Sequence, residues 1–283
     1  MHLGPIELLL LDAGSFGLDG GAMFGVVPKV LWEKKSPPDE KNRIRMRANS
    51  LLVRAHNKTI LIETGNGTKW DTKQRAIYNV QDGDPLIDSL ANAGVSANQI
   101  DLVINTHLHF DHCGGNTYVV NGRAVPTFPR ARYVVQRREL EHAMNPTDRD
   151  RASYFPENFA PISKEGRWDL VDGEKEILPG ISVTRIPGHN ADIQAVLLTG
   201  GGKTVAFVAD LLPTRHHIPL PWIMAYDLYP VQTLETKRLW LSRILSEHWI
   251  VVFGHDPDIP SATLHENNGK IEAEPVNLNA RHV

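Results

Sequence analysis

Between Thr106 and Gly115 the chain reads T-H-L-H-F-D-H-C-G-G, which sets His107, His109, Asp111 and His112 within six residues. Residues two apart on an extended segment leave it on the same side, so His107 and His109 point together. Gly114 and Gly115 allow a sharp backbone turn directly afterwards. Imidazole nitrogens and a carboxylate oxygen are the donors that suit zinc, iron or manganese. A lone H-x-H is as easily a surface or capping pair. H-x-H-x-D-H, placed after an apolar strand and before two glycines, points to metal.

Three further positions put a metal-type residue at the end of a strand: His189 in P-G-H-N, Asp210 in V-A-D-L and His255 in F-G-H-D. Each alone reads as a cap or turn residue. Together with the first cluster they make five histidines and two aspartates, enough for two metal ions sharing one bridging carboxylate. The chemistry open to such a set is hydrolysis by metal-activated water. The single cysteine, Cys113, is expected to be a small buried residue beside the site, without a catalytic role.

The elements that must position these residues follow from pattern. Residues 6–13 and 100–105 read as strands, the second a continuous apolar run of the kind buried on both faces, leading straight into His107. Residues 49–53 and 59–63 alternate as a hairpin ending at Glu63-Thr64-Gly65. Residues 85–93 have helical spacing and stop at Gly94. A strand at 132–136 precedes a helix at 137–143, and 145–165 is a polar, proline-punctuated insertion. A strand at 181–186 ends at Pro187-Gly188-His189, and a hairpin of 194–198 with 204–209 ends at Asp210. A helix at 234–247, with Leu234, Arg238, Leu241 and Leu245 as its stripe, leads to a buried strand at 249–253. Two similar halves result, each carrying a hairpin, a helix and a buried strand that ends in histidine. With no repeat at a solenoid period, residues 1–283 are expected to form one domain of two β-rich layers with helices outside.

Composition narrows the class. The 283 residues include 41% hydrophobic and 22% charged, an ordinary globular balance. The net charge of −3, without a basic run, argues against a nucleic-acid partner. One cysteine excludes a disulfide framework and a cysteine-based zinc site. Residues 8–11 form too short an apolar run for a signal or membrane helix, so a cytoplasmic protein with no membrane partner is expected.

The residues H107-L-H109-F-D111-H112, His189, Asp210 and His255, in this order, resemble the metallo-β-lactamase fold superfamily of metal-dependent hydrolases. That resemblance spans nearly the whole chain and implies an α+β fold, an αββα sandwich. It implies that His107, His109 and His189 bind one metal, that Asp111, His112 and His255 bind the second, and that Asp210 bridges them. Glu63 stands where the family usually has aspartate, and would orient a metal ligand from behind. Two divalent ions are expected, zinc first, with iron, manganese or cobalt compatible.

Within the superfamily the chain resembles N-acyl-homoserine lactonases. The likeness rests on H-L-H-F-D-H-C-G-G, on the L-D-G-G-A-M-F-G-V-V-P-K loop, and on Tyr226-Asp227, Lys237-Arg238-Leu239 and Phe253-Gly254-His255-Asp256. It implies attack of a metal-bridging hydroxide on a lactone carbonyl, with Asp111 or Asp210 passing a proton to the leaving alkoxide. The family's tyrosine three residues after the bridging aspartate is here Pro213, so Tyr226 or Tyr229 would have to take its place. Met23 and Phe24, on a pliable glycine-rich loop, are expected as an apolar flap for an acyl chain. His217, Trp222 and Tyr226 are expected as walls of the substrate pocket. The alternative is a phosphotriesterase or another ester or thioester hydrolase of the same fold. Relatives are often dimers, so a homodimer through residues 23–31 or 145–165 is expected. His2, His56, His142, His248, His265 and His282 have no partner motif and are expected to be structural or solvated.

Overall fold

Alternation decides which residues of each strand meet which layer. In the strand Lys58–Ile62, Ile60 and Ile62 enter the core shared by the two sheets, while Leu61 turns to the opposite face and packs with Leu86 and Leu90 of the helix Pro85–Asn92. The computed structural model describes residues 1–280; His282 lies outside them. Its first sheet contains β1 (His2–Leu3), β2 (Ile6–Asp19), β3 (Arg43–Ala55), β4 (Lys58–Ile62) and β5 (Leu102–Ile104). A separate ribbon of β6 (Thr117–Val120) and β7 (Arg123–Pro126) follows. Then β8 (Arg132–Gln136) and β9 (Trp168–Val171) complete the seven-stranded sheet, ordered β1-β2-β3-β4-β5-β8-β9. The second sheet also has seven strands, and their chain order is their spatial order. They are β10 (Lys175–Leu178), β11 (Ile181–Arg185), β12 (Gln194–Gly200), β13 (Lys203–Phe207), β14 (Ile250–Val252), β15 (Ser261–Asn267) and β16 (Lys270–Pro275).

Each sheet contains a parallel pair joined by a helical crossover. Strands β4 and β5 are parallel, joined through the helix Pro85–Asn92, and β13 and β14 are parallel, joined through the helix Pro230–Ser246. Leu8, Val53, Ile60 and Ile104 from the first sheet meet Val183, Val205, Phe207 and Val251 from the second in one apolar core. Helices cover the outer faces: Trp240, Leu241 and Ile244 of Pro230–Ser246 join that core, and Leu86 and Leu90 pack behind the first sheet. This is the α+β sandwich expected from the sequence.

Several elements exceed the sequence reading. The first strand runs on to Asp19 through a register shift between Asp12 and Ser15. Strands β9, β10, β15 and β16, the β6–β7 ribbon and a helix at Thr72–Tyr78 carry too few alternating apolar residues to have been read. The last helix starts at Pro230, with proline in its first turn, four residues earlier than the apolar pattern suggested. Its buried face carries Thr233, Lys237, Trp240, Leu241 and Ile244, which corrects the stripe of Leu234, Arg238, Leu241 and Leu245. A buried lysine cannot be seen in an apolar pattern. Its ammonium is satisfied by the carbonyls of Pro219 and Trp222, each at 2.8 Å.

Candidate metal centre

The two parallel pairs run their carboxyl ends to the same edge of the sandwich, and the site lies there. Strand β4 ends at Glu63, β5 feeds Thr106 and His107, β13 feeds Asp210, and β14 feeds His255. His189 sits in the turn between β11 and β12. Two of these ends are held in left-handed backbone that non-glycine residues rarely adopt: Glu63 at φ 66° and Ala209, next to Asp210, at φ 43°. Glycine is required where backbones touch. A Cβ on Gly114 would lie 2.2 Å from the Asn66 carbonyl oxygen, and one on Gly188 would lie 2.4 Å from Thr233 Oγ1.

The seven expected ligands converge, all buried. His107, His109, His189 and Asp210 form one group, and Asp111, His112 and His255 another, with potential ligand atoms of each group within 4.8 Å of one another. Asp210 serves both. Its Oδ2 lies 3.2 Å from His189 Nε2 and 3.9 Å from His107 Nε2, while its Oδ1 lies 3.1 Å from His255 Nε2 and 3.4 Å from His112 Nε2. Asp111 Oδ2 is 3.5 Å from His255 Nε2.

Three of the rings are set from behind. His112 Nδ1 lies 2.9 Å from Glu63 Oε2, whose other oxygen accepts the Thr106 amide. His189 Nδ1 lies 2.9 Å from Asp227 Oδ1, and His255 Nδ1 lies 3.1 Å from the Arg47 carbonyl. These acceptors fix the proton on Nδ1 and leave Nε2 as a lone pair. The lone pairs of His112 and His255 then face each other at 3.0 Å, and His189 Nε2 faces His109 Nδ1 at 3.1 Å. His107 Nε2 and Asp210 Oδ1 are buried without any hydrogen-bond partner. Lone pairs and a carboxylate oxygen converging in a buried space favour cations between them. The carboxylates of Glu63, Asp111, Asp210 and Asp227 balance two divalent ions charge for charge. The donor set fits a dinuclear centre.

Burial and charge pull the site in opposite directions, and the raised groups are those from which an incoming cation would displace a proton. Burial holds the His107 pKa well below its usual value, and His112 and His109 beside it push the same way. Burial also opposes charge on His112, but Asp210, Asp111 and Glu63 outweigh it and raise that pKa well above the ordinary range. For Asp210, burial is outweighed by His112, His189 and His255, and its carboxyl falls well below normal.

The other expected residues have mixed fates. Met23 and Phe24 lie on a short helix, Gly20–Phe24, and are packed into the core; Phe24 stacks on Trp32 at 5.3 Å and on His217 at 4.8 Å. They anchor the loop, which corrects the picture of a flap. His217 is likewise committed: Nε2 to the Met23 carbonyl at 2.9 Å, Nδ1 to Thr214 Oγ1 at 2.8 Å. With no ring nitrogen free, it ties two loops together and is not a substrate contact. Trp222 meets Phe24 edge-on at 5.6 Å. Tyr226 is half-buried; burial raises its phenol pKa, and Tyr78, Asp19 and Asp111 add to the rise. Tyr229 is exposed at the start of the last helix. The Pro213 carbonyl accepts the His255 amide at 2.8 Å, so this position supports a histidine through its backbone. Cys113 is buried, its thiol donating to the Leu108 carbonyl at 3.2 Å.

Sequence reasoning missed Asp227, whose role depends on a fold that brings it 38 residues back to His189. It also missed the Arg47 carbonyl, which no side-chain pattern can announce, and the aromatic group of Trp70, Tyr78, Phe110 and Phe155. In that group Phe110 stacks on Phe155 at 5.2 Å and meets Trp70 edge-on at the same distance.

A family model described as the metallo-beta-lactamase superfamily matches residues 43–255. An N-acyl homoserine lactonase of Bacillus thuringiensis is 24% identical over 220 residues, covering 72% of this chain and 79% of its own. A solved structure described as a probable metal-dependent hydrolase from Staphylococcus aureus is 29% identical with a TM-score of 0.90, covering 96% of this chain and 97% of its own. AidC, described as a dizinc quorum-quenching lactonase, is 20% identical with a TM-score of 0.80, covering 98% and 96%.

Proposed function

Because the chain belongs to the metallo-beta-lactamase superfamily, we propose that it is a dinuclear metal-dependent hydrolase opening lactone rings, with N-acyl-homoserine lactones as the first candidates. The observation that carries the reading is the divided carboxylate of Asp210, one oxygen toward each group of histidines. His107, His109 and His189 would hold one ion, Asp111, His112 and His255 the other, and Asp210 both. Zinc suits these donors, as do iron, manganese and cobalt. Two such ions would supply water activated for attack at neutral pH and Lewis-acid polarisation of a carbonyl.

The chain's own residues do the rest. Asp210 borders both groups and Asp111 lies within the second, where either carboxylate can take a proton and pass it to the departing ring oxygen. Tyr226, half-buried, would offer a phenol to the substrate where Pro213 offers none. Trp70, Tyr78, Phe110 and Phe155 give an acyl chain the apolar wall first expected from Met23 and Phe24. A homodimer belongs to the proposal, supported by exposed Val26, Val30 and Leu31.

The test is proton release when an N-acyl-homoserine lactone meets the metal-loaded protein, with a phosphotriester and a thioester in parallel. A kcat/KM above about 10⁴ M⁻¹s⁻¹ for the lactone, lost in Asp210→Asn, is the expected result. A lactone rate below that of the phosphotriester or thioester would overturn the substrate.

A further inference from the structure

One buried carboxylate near the site touches none of its ligand atoms. Glu139, on the helix Arg137–Met144, is 1% exposed. Its Oε1 accepts the Leu108 amide at 2.9 Å and the Tyr154 hydroxyl at 3.1 Å. The Tyr154 oxygen in turn accepts from Asn190 Nδ2 at 3.3 Å, and the Tyr154 ring meets His109 edge-on at 4.6 Å. Leu108 lies between His107 and His109, and Asn190 follows His189. The two segments thus linked come from different sheets: one follows β5, the other joins β11 to β12.

We infer that Glu139 is a positioning residue: through the Leu108 amide and the Tyr154 hydroxyl it fixes the His107–His109 segment against His189–Asn190, and so sets how tightly these three histidines hold their ion. The inference rests on the reading of those histidines as ligands. Packing alone does not account for an acid here. The helix buries the apolar Ala143 one turn further on, so the same face takes a side chain that needs no polar partner. Burial instead pushes the Glu139 carboxyl up to about 7, a desolvation penalty offset by its two donors. Without Glu139 the Leu108 amide has no protein acceptor, and Tyr154 loses the bond that aims its hydroxyl at Asn190.

Chelator competition on the two-metal protein tests this, with ions retained per chain as the readout and cobalt absorption reporting ligand geometry. Glu139→Leu is expected to release one ion at a chelator concentration about 10–100-fold lower than the parent does, while the other ion holds. Glu139→Gln, which keeps an acceptor of the same reach, is expected to retain both. Tyr154→Phe, which cuts only the arm to Asn190, is expected to fall between. A folded Glu139→Leu protein that holds both ions as the parent does, or loosens both equally, overturns the inference. Should Glu139→Leu not fold, unchanged affinities in Tyr154→Phe overturn it. No lactone enters the assay, so a wrong substrate leaves the result intact, and a parent that fails to take up two ions fails the metal reading first.

Discussion

The Nε2 atoms of His112 and His255 face each other at 3.0 Å, each ring having its Nδ1 proton committed, to Glu63 in one case and to the Arg47 carbonyl in the other. Two bare nitrogens at that distance would repel, so the metal-free pair holds a proton between them, and a cation that displaces it turns both rings into ligands. Metal at about a hundred times its Kd is therefore expected to stabilise the fold by about 2.7 kcal/mol, seen as a denaturant midpoint that falls on chelation and recovers on replenishment. Because His112 and His189 are raised toward protonation in the metal-free chain, uptake should release protons and weaken as pH falls. Uptake independent of pH between about 5 and 8 would contradict this.

Glu63 accepts two donors, the His112 ring and the Thr106 amide. Glutamine in its place can accept from only one and turns its own donor toward the other. Glu63→Gln should weaken the ion held by His112 by about 10–100-fold and leave the His107, His109 and His189 group less affected, measurable by stepwise metal titration. Equal loss at both positions would show that Glu63 acts on the whole edge.

His217 is a buried neutral imidazole, its pKa lowered from 6.5 to about 3, chiefly by burial. Below its unfolded value the unfolded chain takes a proton that the folded chain refuses. Its contribution to stability is thus complete above about pH 6.5 and lost as pH falls toward 3. Glu139 works in the opposite sense, since its carboxyl is raised from 4.5 to about 7 and its contribution is lost as pH rises through that window. Comparing the parent with His217→Gln removes that opposing slope. Their difference in unfolding free energy should shrink by about 1.4 kcal/mol per pH unit as pH falls below 6.5. A pH-independent difference would refute the assignment.

Lys237 pins the loop before Met224 through the carbonyls of Pro219 and Trp222. Lys237→Met leaves both without that donor and should cost about 1–3 kcal/mol in denaturant unfolding. Because the lysine touches no ligand, metal content should hold while the KM for the lactone rises. A loss of metal would mean that the loop also supports the centre.

The sequence was most informative where chemistry and chain direction coincide. The spacing of His107, His109, Asp111 and His112 names donors, and an apolar strand delivers them; His189, Asp210 and His255 repeat the device at other strand ends. The two layers were readable because each half of the chain repeats a hairpin, a helix and a buried strand ending at a histidine, as the two sheets with their crossover helices show. The supports were not readable. Asp227, Glu139 and Tyr154 are ordinary residues until the fold sets them behind a ligand, and the Arg47 carbonyl has no sequence signature at all. Met23 and Phe24 misled for a related reason. Apolar side chains beside glycines fit a flap and an anchor equally, and only their stacking with Trp32 and His217 decides.

The proposed ligands are divided between the sheets: His107, His109, Asp111 and His112 follow the first sheet's β5, while His189, Asp210 and His255 follow strands of the second. Neither sheet alone can complete the proposed centre. An ion at this seam would act as a crosslink between chain segments as far apart as residues 111 and 255, closing a loop that the unfolded chain leaves open. Metal occupancy would therefore report assembly, and in a metal-starved cell the two sheets would rest on the apolar core and on the few hydrogen bonds that cross the seam, such as those from Asn49 to the carbonyls of Phe253 and Asp256.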